Sequence, residues 1–217
     1  MRVAIVHNRV TAQDSPDARD VLIQVDTVSR ALVSLGHETA ILSCSLNLDE
    51  MRLKLFEIKP DLVFNLVEEL EGHGRLIHLF PSLLDSLRIP YTGPPSEAVF
   101  LTSHKTMAKQ LMRSAGLPTP TWFGPYPRGG MLVSAKAEAG TWIIKSLWEH
   151  ASVGLDSGSV VQTGSAEMLK KEMHKRCTSL GGSCFAEEFI DGREFNLSIL
   201  AGENGPEILY LPTMLIG

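Results

Sequence analysis

The sequence predicts an α/β protein in two parts: an N-terminal domain with a doubly wound parallel sheet, and an α+β unit after it. Two observations support this prediction. Strand and helix patterns alternate over residues 1–100, whereas short strand patterns around a single helix fill most of residues 101–217. We therefore place a domain boundary at about residue 100. The chain has 217 residues, 44% of them hydrophobic, which suffices to bury a core without a metal or disulfides.

The N-terminal part begins with Val3–Val6, a continuous apolar run typical of a strand buried on both faces of a parallel sheet. The next helix has an apolar stripe that ends at Gly36, and a later helix ends before Pro60, because the residue before a proline disfavours helical geometry. The predicted strands are 3–6, 39–42 and 62–66, and the predicted helices are 21–35, 49–58 and 76–87. This alternation predicts a doubly wound unit.

The C-terminal part starts with a helix that Thr102 or Ser103 can cap and that ends at Gly116. Two prolines in Leu117–Trp122 forbid a helix and predict an extended linker with polyproline or edge-strand geometry. The predicted strands that follow are 131–133, 141–146, 159–162, 184–190, 194–200 and 207–211, with one helix at 165–177. Several short strands around one helix predict a mostly antiparallel α+β subdomain.

Composition excludes several classes of partner. A formal net charge of -5 disfavours nucleic-acid binding, which needs clustered basic residues. No apolar run approaches the roughly 20 residues that cross a membrane, and the first residues predict a strand, not a signal peptide. Three cysteines without a CxxC motif indicate a reducing compartment. We therefore expect a cytoplasmic protein with no nucleic-acid or membrane partner.

Common nucleotide and hydrolase motifs are missing from the sequence. It contains no GxxxxGK[ST], no GxGxxG after the first strand, no HExxH and no GxSxG. These absences disfavour P-loop ATPases, Rossmann dehydrogenases of the usual type, zincins and α/β-hydrolases. A nucleotide site in this chain must therefore be built from other residues.

Lys145 is a candidate for binding an anion. It ends the apolar strand pattern Trp142–Ile144, where an unpaired ammonium would be costly. A few residues later, Ala151–Gly154 forms a small-residue turn that can offer backbone N–H groups to a phosphate. Both features have ordinary alternatives, because a strand-edge lysine can extend to water and a hairpin loop has the same composition.

Charged residues elsewhere are further candidates. Glu187 and Glu188 are adjacent in a strand pattern, so only one of them can point into a site. Lys105 lies near a helix N-terminus, where a cation opposes the helix dipole and indicates a ligand. Solvated side chains remain the alternative for all three. Open α/β sheets bind ligands beyond the carboxyl ends of their strands. A capping or solvated role is the alternative for each of the polar residues at those positions, which are His7, Asn8, Arg9, Asn65, Glu68 and Glu69.

Several separated motifs occur together in one order. They are Ile89–Gly93, Lys105, Gly116–Pro120, Ile144–Lys145, Ser152–Gly154 and Glu187–Glu194. In order and approximate spacing they resemble the ATP-grasp ligases, and among those the D-alanine–D-alanine ligase group. The resemblance covers the whole chain. It implies an incomplete ATP-grasp fold, with the N-terminal α/β substrate domain followed by the first ATP-grasp subdomain over residues 101–217.

The resemblance implies how the phosphates of ATP would be bound. Lys105 and Lys145 would contact the phosphates, and Ser152, Val153 and Gly154 would belong to a mobile loop that folds over them. Cations and backbone N–H groups are the partners that phosphate oxygens require. The implied roles therefore agree with the chemistry of the residues.

The resemblance also implies an adenine and ribose site. Glu187 would accept a hydrogen bond from the adenine amino group, and Phe189 and Ile190 would flank the base and supply a backbone hydrogen bond. Glu194 would hold the ribose hydroxyls. Carboxylates suit these positions because they accept hydrogen bonds from neutral donors.

In this family ATP phosphorylates a carboxylate, and an amine attacks the acyl phosphate to give an amide. We therefore expect ATP and magnesium as cofactors and a truncated ligase, because the magnesium and catalytic residues would lie beyond residue 217. An open ATP-facing surface predicts a homodimer or a separate C-terminal partner. The alternative hypothesis is a non-catalytic nucleotide-binding or interaction protein that retains the scaffold.

Two segments depart from the family pattern. Thr11–Asp17 stands where a Glu-His-Glu-like loop is expected, and Gly74–His78 stands where a Gly-Glu-Asp-Gly element is expected. Ala151 replaces a usual serine in the phosphate loop. These departures favour a small amino-acid or peptide substrate other than D-alanine.

Overall fold

The computed structural model describes residues 1–11, 19–127, 139–150, 154–193, 195 and 197–209. The strands are β1 Arg2–Asn8, β2 Glu38–Cys44, β3 Leu62–Leu66, β4 Trp122–Tyr126, β5 Gly140–Ser146, β6 Val160–Thr163, β7 Cys184–Glu188, β8 Ser198–Gly202 and β9 Gly205–Leu209. The α-helices are α1 Val21–Ser34, α2 Leu48–Ile58, α3 Leu79–Leu87, α4 Ser96–Ser103, α5 Lys105–Ser114 and α6 Ala166–Arg176. Short 3-10 helices occupy Gly74–Leu76 and Ser157–Ser159.

The N-terminal sheet is parallel, with strand order β2-β1-β3. Alternate residues of β1 are buried on opposite faces. Ala4 and Val6 pack in a core with residues of α2 and α3. The other face is covered by α1, where Ser29 is hydrogen-bonded to Thr39, the register partner of Val3. Helices on both faces of a parallel sheet confirm the predicted doubly wound unit.

The second sheet is antiparallel, with strand order β4-β7-β5-β6. Helix α6 covers one face, where Leu169 and Met173 pack against Ile144 and Ala186. Strands β8 and β9 form a separate antiparallel hairpin. This arrangement confirms the predicted α+β fold class of the C-terminal part.

The start of α5 differs from the prediction. Ser103 ends α4, a helix that the sequence did not predict, and His104 caps α5 by accepting a hydrogen bond from the backbone N–H of Met107 at 3.2 Å. The consecutive apolar residues 98–101 show no helical stripe, which explains why α4 was missed. The predicted cap at Thr102 or Ser103 is therefore wrong.

Strand β4 lies where the sequence predicted the end of a linker. Trp122 pairs with Glu187, and the register shifts between Phe123 and Tyr126. The surrounding prolines conceal the strand, although proline is tolerated on an edge strand such as β4.

Two other boundaries differ from the prediction by three residues or more. The helix predicted at 76–87 begins at Leu79 after a 3-10 turn, and the strand predicted at 194–200 begins at Ser198. The strand predicted at 131–133 lies outside the described residues. Among the helices described, none combines the length and apolar character needed to span a membrane.

Candidate nucleotide-binding site

Strands β5 and β7 place Lys145 and Glu187 on one face of the antiparallel sheet. Ile143 is the register partner of Glu187, and Lys145 is the register partner of Phe185. Residues two apart on a strand share a face, so Lys145 and Glu187 are diagonal neighbours. Lys145 Nζ lies 2.6 Å from Glu187 Oε1. The anion that the lysine needs is supplied, in this structure, by the neighbouring strand.

Helix α5 brings a second lysine to the same carboxylate. Lys109 Nζ lies 2.7 Å from Glu187 Oε2 and donates to Thr119 Oγ1 at 2.8 Å. The ammonium also stands 5.3 Å from the centre of the Trp122 ring, a cation–π contact. Each oxygen of Glu187 therefore accepts from a different lysine.

The two lysines decide the charge of Glu187. Burial raises the pKa of this carboxyl group, but the hydrogen bonds and charges of Lys109 and Lys145 outweigh burial, so its pKa is lowered overall. Glu187 is therefore an ionised acceptor at neutral pH. Glu188, its neighbour, is exposed, which agrees with the prediction that only one of the pair points into a site.

Lys105 is the first residue of α5, one helical turn before Lys109. Its Nζ donates to the backbone oxygen of Glu149 at 2.6 Å, and its backbone N–H donates to Leu147 O at 3.1 Å. Burial lowers the pKa of Lys105 and the positive charge of Lys145 adds to this, whereas the negative charges of Glu149 and Glu187 oppose the shift without cancelling it. The ammonium therefore gains from a nearby anion more than a solvated lysine would.

The end of the small-residue loop is anchored. Gly154 has φ +71°, and a Cβ there would lie 2.7 Å from Ser179 O, so this position requires glycine. Asp156 is paired with Arg176 and accepts from the backbone N–H of Gly158 at 2.9 Å. These contacts fix the chain directly after residues 151–153, which include Ser152 and Val153 and lie outside the described residues.

Comparisons with known proteins agree with this architecture. The chain is 32% identical over 189 residues to a D-alanine–D-alanine ligase of Aquifex aeolicus, a match that covers 85% of this chain and 59% of the relative. It is 31% identical to the uncharacterized protein y4sG of Sinorhizobium fredii, over 86% of this chain and 54% of that protein. The chain thus spans little more than half the length of these relatives. No protein-family model matches it.

Solved structures show the same fold. A D-alanine–D-alanine ligase from Helicobacter pylori superposes with a TM-score of 0.67 at 18% identity, covering 100% of this chain and 76% of that one. A D-alanine–D-alanine ligase from Bacillus anthracis complexed with ATP gives 0.58 at 17% identity, covering 88% and 60%. The chain is D-alanine–D-alanine ligase-like in sequence and in fold.

Phe189 and Ile190 follow β7 directly. Both side chains are exposed, and the backbone N–H of Phe189 donates to Thr141 O at 3.0 Å. Their predicted roles beside the base remain predictions. Glu194, predicted to hold the ribose, lies outside the described residues.

Lys109 is the site residue that the sequence interpretation missed. The signal was present, since Lys105 and Lys109 are four residues apart and share one face of a helix. Nothing in the sequence indicated which strand this face would meet. The tertiary contact between α5 and β7 is what makes the lysine part of the site.

Several polar residues at the carboxyl ends of β1 and β3 have hydrogen-bond or ion-pair partners within the chain. Arg9 pairs with Glu71 at 2.8 Å, and Asn65 Oδ1 accepts from the backbone N–H of Val67 at 3.0 Å. His7 Nδ1 lies 2.7 Å from Asn8 O. Asn8 Oδ1 is buried and has no hydrogen-bond partner among the described residues. The Asn65 contact supports the capping alternative for that residue, and Arg9 and His7 are bonded to other groups of the chain.

Glu149, in the segment after β5, contacts both parts of the chain. Glu149 Oε2 accepts from the backbone N–H of Gly74 at 3.1 Å, while its backbone oxygen holds Lys105. The neighbouring Trp148 ring packs edge-on against His104, with centroids 4.4 Å apart. The segment after β5 therefore contacts both Gly74, in the turn that differs from the family pattern, and Lys105 of α5.

Proposed function

We propose that the protein is an ATP-dependent ligase that joins a carboxylate to an amine, and that the described residues bind the nucleotide. The observation that carries the proposal is Glu187, an ionised acceptor held on the sheet face between Lys145 and Lys109. The sequence similarity to D-alanine–D-alanine ligases supports the reaction class. Because the chain spans only part of those relatives, the activity of the whole protein remains a proposal.

The described residues fit ATP. An ionised carboxylate only accepts hydrogen bonds, so Glu187 suits the amino group of adenine and repels the oxygen of a 6-oxopurine. Lys145 is the more exposed partner of Glu187, and the Lys105 ammonium donates to a backbone oxygen, so both lysines can turn to phosphates. Bound ATP would supply the phosphoryl group that activates the carboxylate. The residues of this chain bind and orient it.

Magnesium is a different case. The part of the chain that the structure describes contains no group of three or more His, Cys, Asp or Glu residues able to hold a metal ion. We assign the magnesium of this reaction class to no residue of the described part of the chain.

Substrate, location and domain division are also proposals. The turn at Gly74–His78 lacks the Gly-Glu-Asp-Gly element of the family, and this difference supports a small amino-acid or peptide substrate other than D-alanine. All three cysteines are free and buried, which supports a cytoplasmic location. The separate sheets of the two parts support a substrate domain over 1–100 and an ATP-grasp unit over 101–217.

Calorimetric titration of Mg-ATP into the purified chain tests the proposal. We expect saturable binding, which Lys145→Ala weakens by about 1.5–3 kcal/mol, the range for a hydrogen bond to a charged group. Lys170→Ala is the matched control, because Lys170 is an exposed residue of α6 that pairs with Glu167 of the same helix and lies 6.0 Å from the Phe123 ring, away from Glu187. Saturable ATP binding without ADP release in the presence of amino acids would favour the non-catalytic alternative. Absence of ATP binding would contradict the ligase proposal and a nucleotide-binding role, and would leave the interaction protein as the alternative.

A further inference from the structure

The two lysines on Glu187 differ in how firmly they are held. The Lys109 side chain is 6% exposed, the Glu187 side chain 13% and the Lys145 side chain 31%. Lys109 donates to Thr119 as well as to Glu187, and it lies against the Trp122 ring. Among the described residues, Lys145 forms an ion pair with Glu187 alone. Lys109 is therefore the fixed member of the pair and Lys145 the releasable one.

A nucleotide would make competing demands on Lys145. In the structure its ammonium neutralises Glu187, but under the proposed function it must move to a phosphate. Removing one partner of a largely buried ion pair strongly disfavours the charge left behind. If Lys145 were the sole cation, binding phosphate would leave the adenine-binding carboxylate uncompensated. Phosphate and base recognition would then oppose each other.

We propose that Lys109 is a positioning residue: the permanent counter-ion that keeps Glu187 ionised and oriented when Lys145 transfers to a nucleotide phosphate. This inference rests on the proposed function and assigns a residue to the same site. Two lysines and one glutamate leave one positive charge in excess, and that charge is carried by the releasable lysine. Transfer of Lys145 also vacates Oε1, which then accepts from the amino group of the base.

The geometry explains why Lys109 cannot exchange roles with Lys145. Its backbone lies in the middle of α5, and its ammonium is held by Glu187 and Thr119. A third contact, the Trp122 ring, belongs to the register partner of Glu187, so ring and carboxylate stand on one sheet face. Lys109 is therefore built into the packing between α5 and the sheet.

The test compares ATP with adenosine in Lys109→Met, which keeps the length of the side chain and removes its charge. We expect ATP affinity to fall by about 10- to 100-fold, because Lys145 must then stay with Glu187. Adenosine has no phosphate to draw Lys145 away, so its affinity should fall much less. Lys109→Arg should restore most of the ATP affinity, and Lys175→Met, on the exposed side of α6, is the matched control.

The double variant K109M/E187Q keeps the test decisive if K109M is poorly folded. A neutral amide no longer holds Lys145, so the ratio of ATP to adenosine affinity should return to that of the unaltered protein. Equal losses for ATP and adenosine in K109M, or an unrestored ratio in the double variant, would show a purely structural Lys109 and overturn the inference. Failure of the unaltered protein to bind ATP would instead overturn the proposed function, and this inference with it.

Discussion

The two faces of the β4–β7–β5–β6 sheet use the same strands for opposite purposes. One face, with Ile144 and Ala186, packs against α6 and is fully apolar at its centre. The other, with Lys145 and Glu187, meets α5 through an ion-paired cluster. Along β5 and β7, successive residues therefore alternate between the apolar core and the charged site.

The two faces differ in how strictly they constrain the residue at each position. The apolar face stabilises by area removed from water, which many residues of similar size can supply. The charged face needs donors and acceptors at fixed positions, because a buried charge without its partner is strongly destabilising. Substitutions on the two faces should therefore fail for different physical reasons.

The largest effect is expected on the charged face. Glu187→Ala leaves Lys109 buried beside Trp122 without its carboxylate, and we expect a loss of about 3–5 kcal/mol in the free energy of unfolding. Urea denaturation followed by tryptophan fluorescence measures it. A loss below that of an ordinary surface substitution would show that the cluster is solvated and the contrast between faces false.

The pH dependence of stability in Glu187→Gln tests whether the charge of Glu187 stabilises the charged face. The pKa of Glu187 is lowered in the folded protein from its ordinary value of 4.5, so ionisation stabilises the fold above that pH. This contribution is lost as the pH falls through the folded pKa. The difference in unfolding free energy between the unaltered protein and the variant should therefore shrink below about pH 4.5. A difference that stays constant with pH would contradict the prediction.

A slightly smaller effect is expected on the apolar face. Ile144→Ala removes a fully buried side chain from the core under α6, and we expect a loss of about 2–5 kcal/mol with no dependence on acid pH. Thermal and urea unfolding at two pH values measure both features. A pH-dependent loss would mean that the two faces are not independent.

Lys145→Ala should affect stability much less than ATP binding. Its ammonium is partly exposed and Glu187 retains Lys109, so we expect about 0–1 kcal/mol of destabilisation. Differential scanning calorimetry without nucleotide is the appropriate measurement. Destabilisation as large as that of Glu187→Ala would identify Lys145, and not Lys109, as the main counter-ion.

The smallest effect is expected from Glu188→Gln. This side chain is exposed at the end of β7, and we expect a change within about 0.5 kcal/mol in unfolding free energy. Chemical denaturation in parallel with Glu187→Gln measures the contrast between adjacent residues. Equal effects in the two variants would remove the distinction between site and solvent at this pair.

Much of the fold could be predicted from the sequence because its patterns are local. The apolar run of β1 and the stop before Pro60 depend only on neighbouring residues, and both elements lie where predicted. Helix α4 could not be predicted, since its block of apolar residues has no periodicity, and β4 was concealed by prolines.

The candidate site divides in the same way. Lys145 and Glu187 stood out because each is a charge in or beside an apolar strand pattern. Their mutual contact depends on the register of β5 against β7, and the contact of Lys109 depends on how α5 docks. Neither the strand register nor the docking of the helix can be predicted from a short stretch of sequence. The capping role of His104 was missed for a related reason, because the boundary between α4 and α5 leaves no break in the sequence pattern.

The close approach of Gly74 to the segment after β5 has a consequence for sequence variation. A Cβ at residue 74 would lie 2.9 Å from Glu149 Oε2 and 3.1 Å from Trp148 O, so a larger residue there would displace the carboxylate and break its bond to the Gly74 N–H. A shorter side chain at 149 would remove that clash. The two positions are 75 residues apart in the chain, and evolution should change them together.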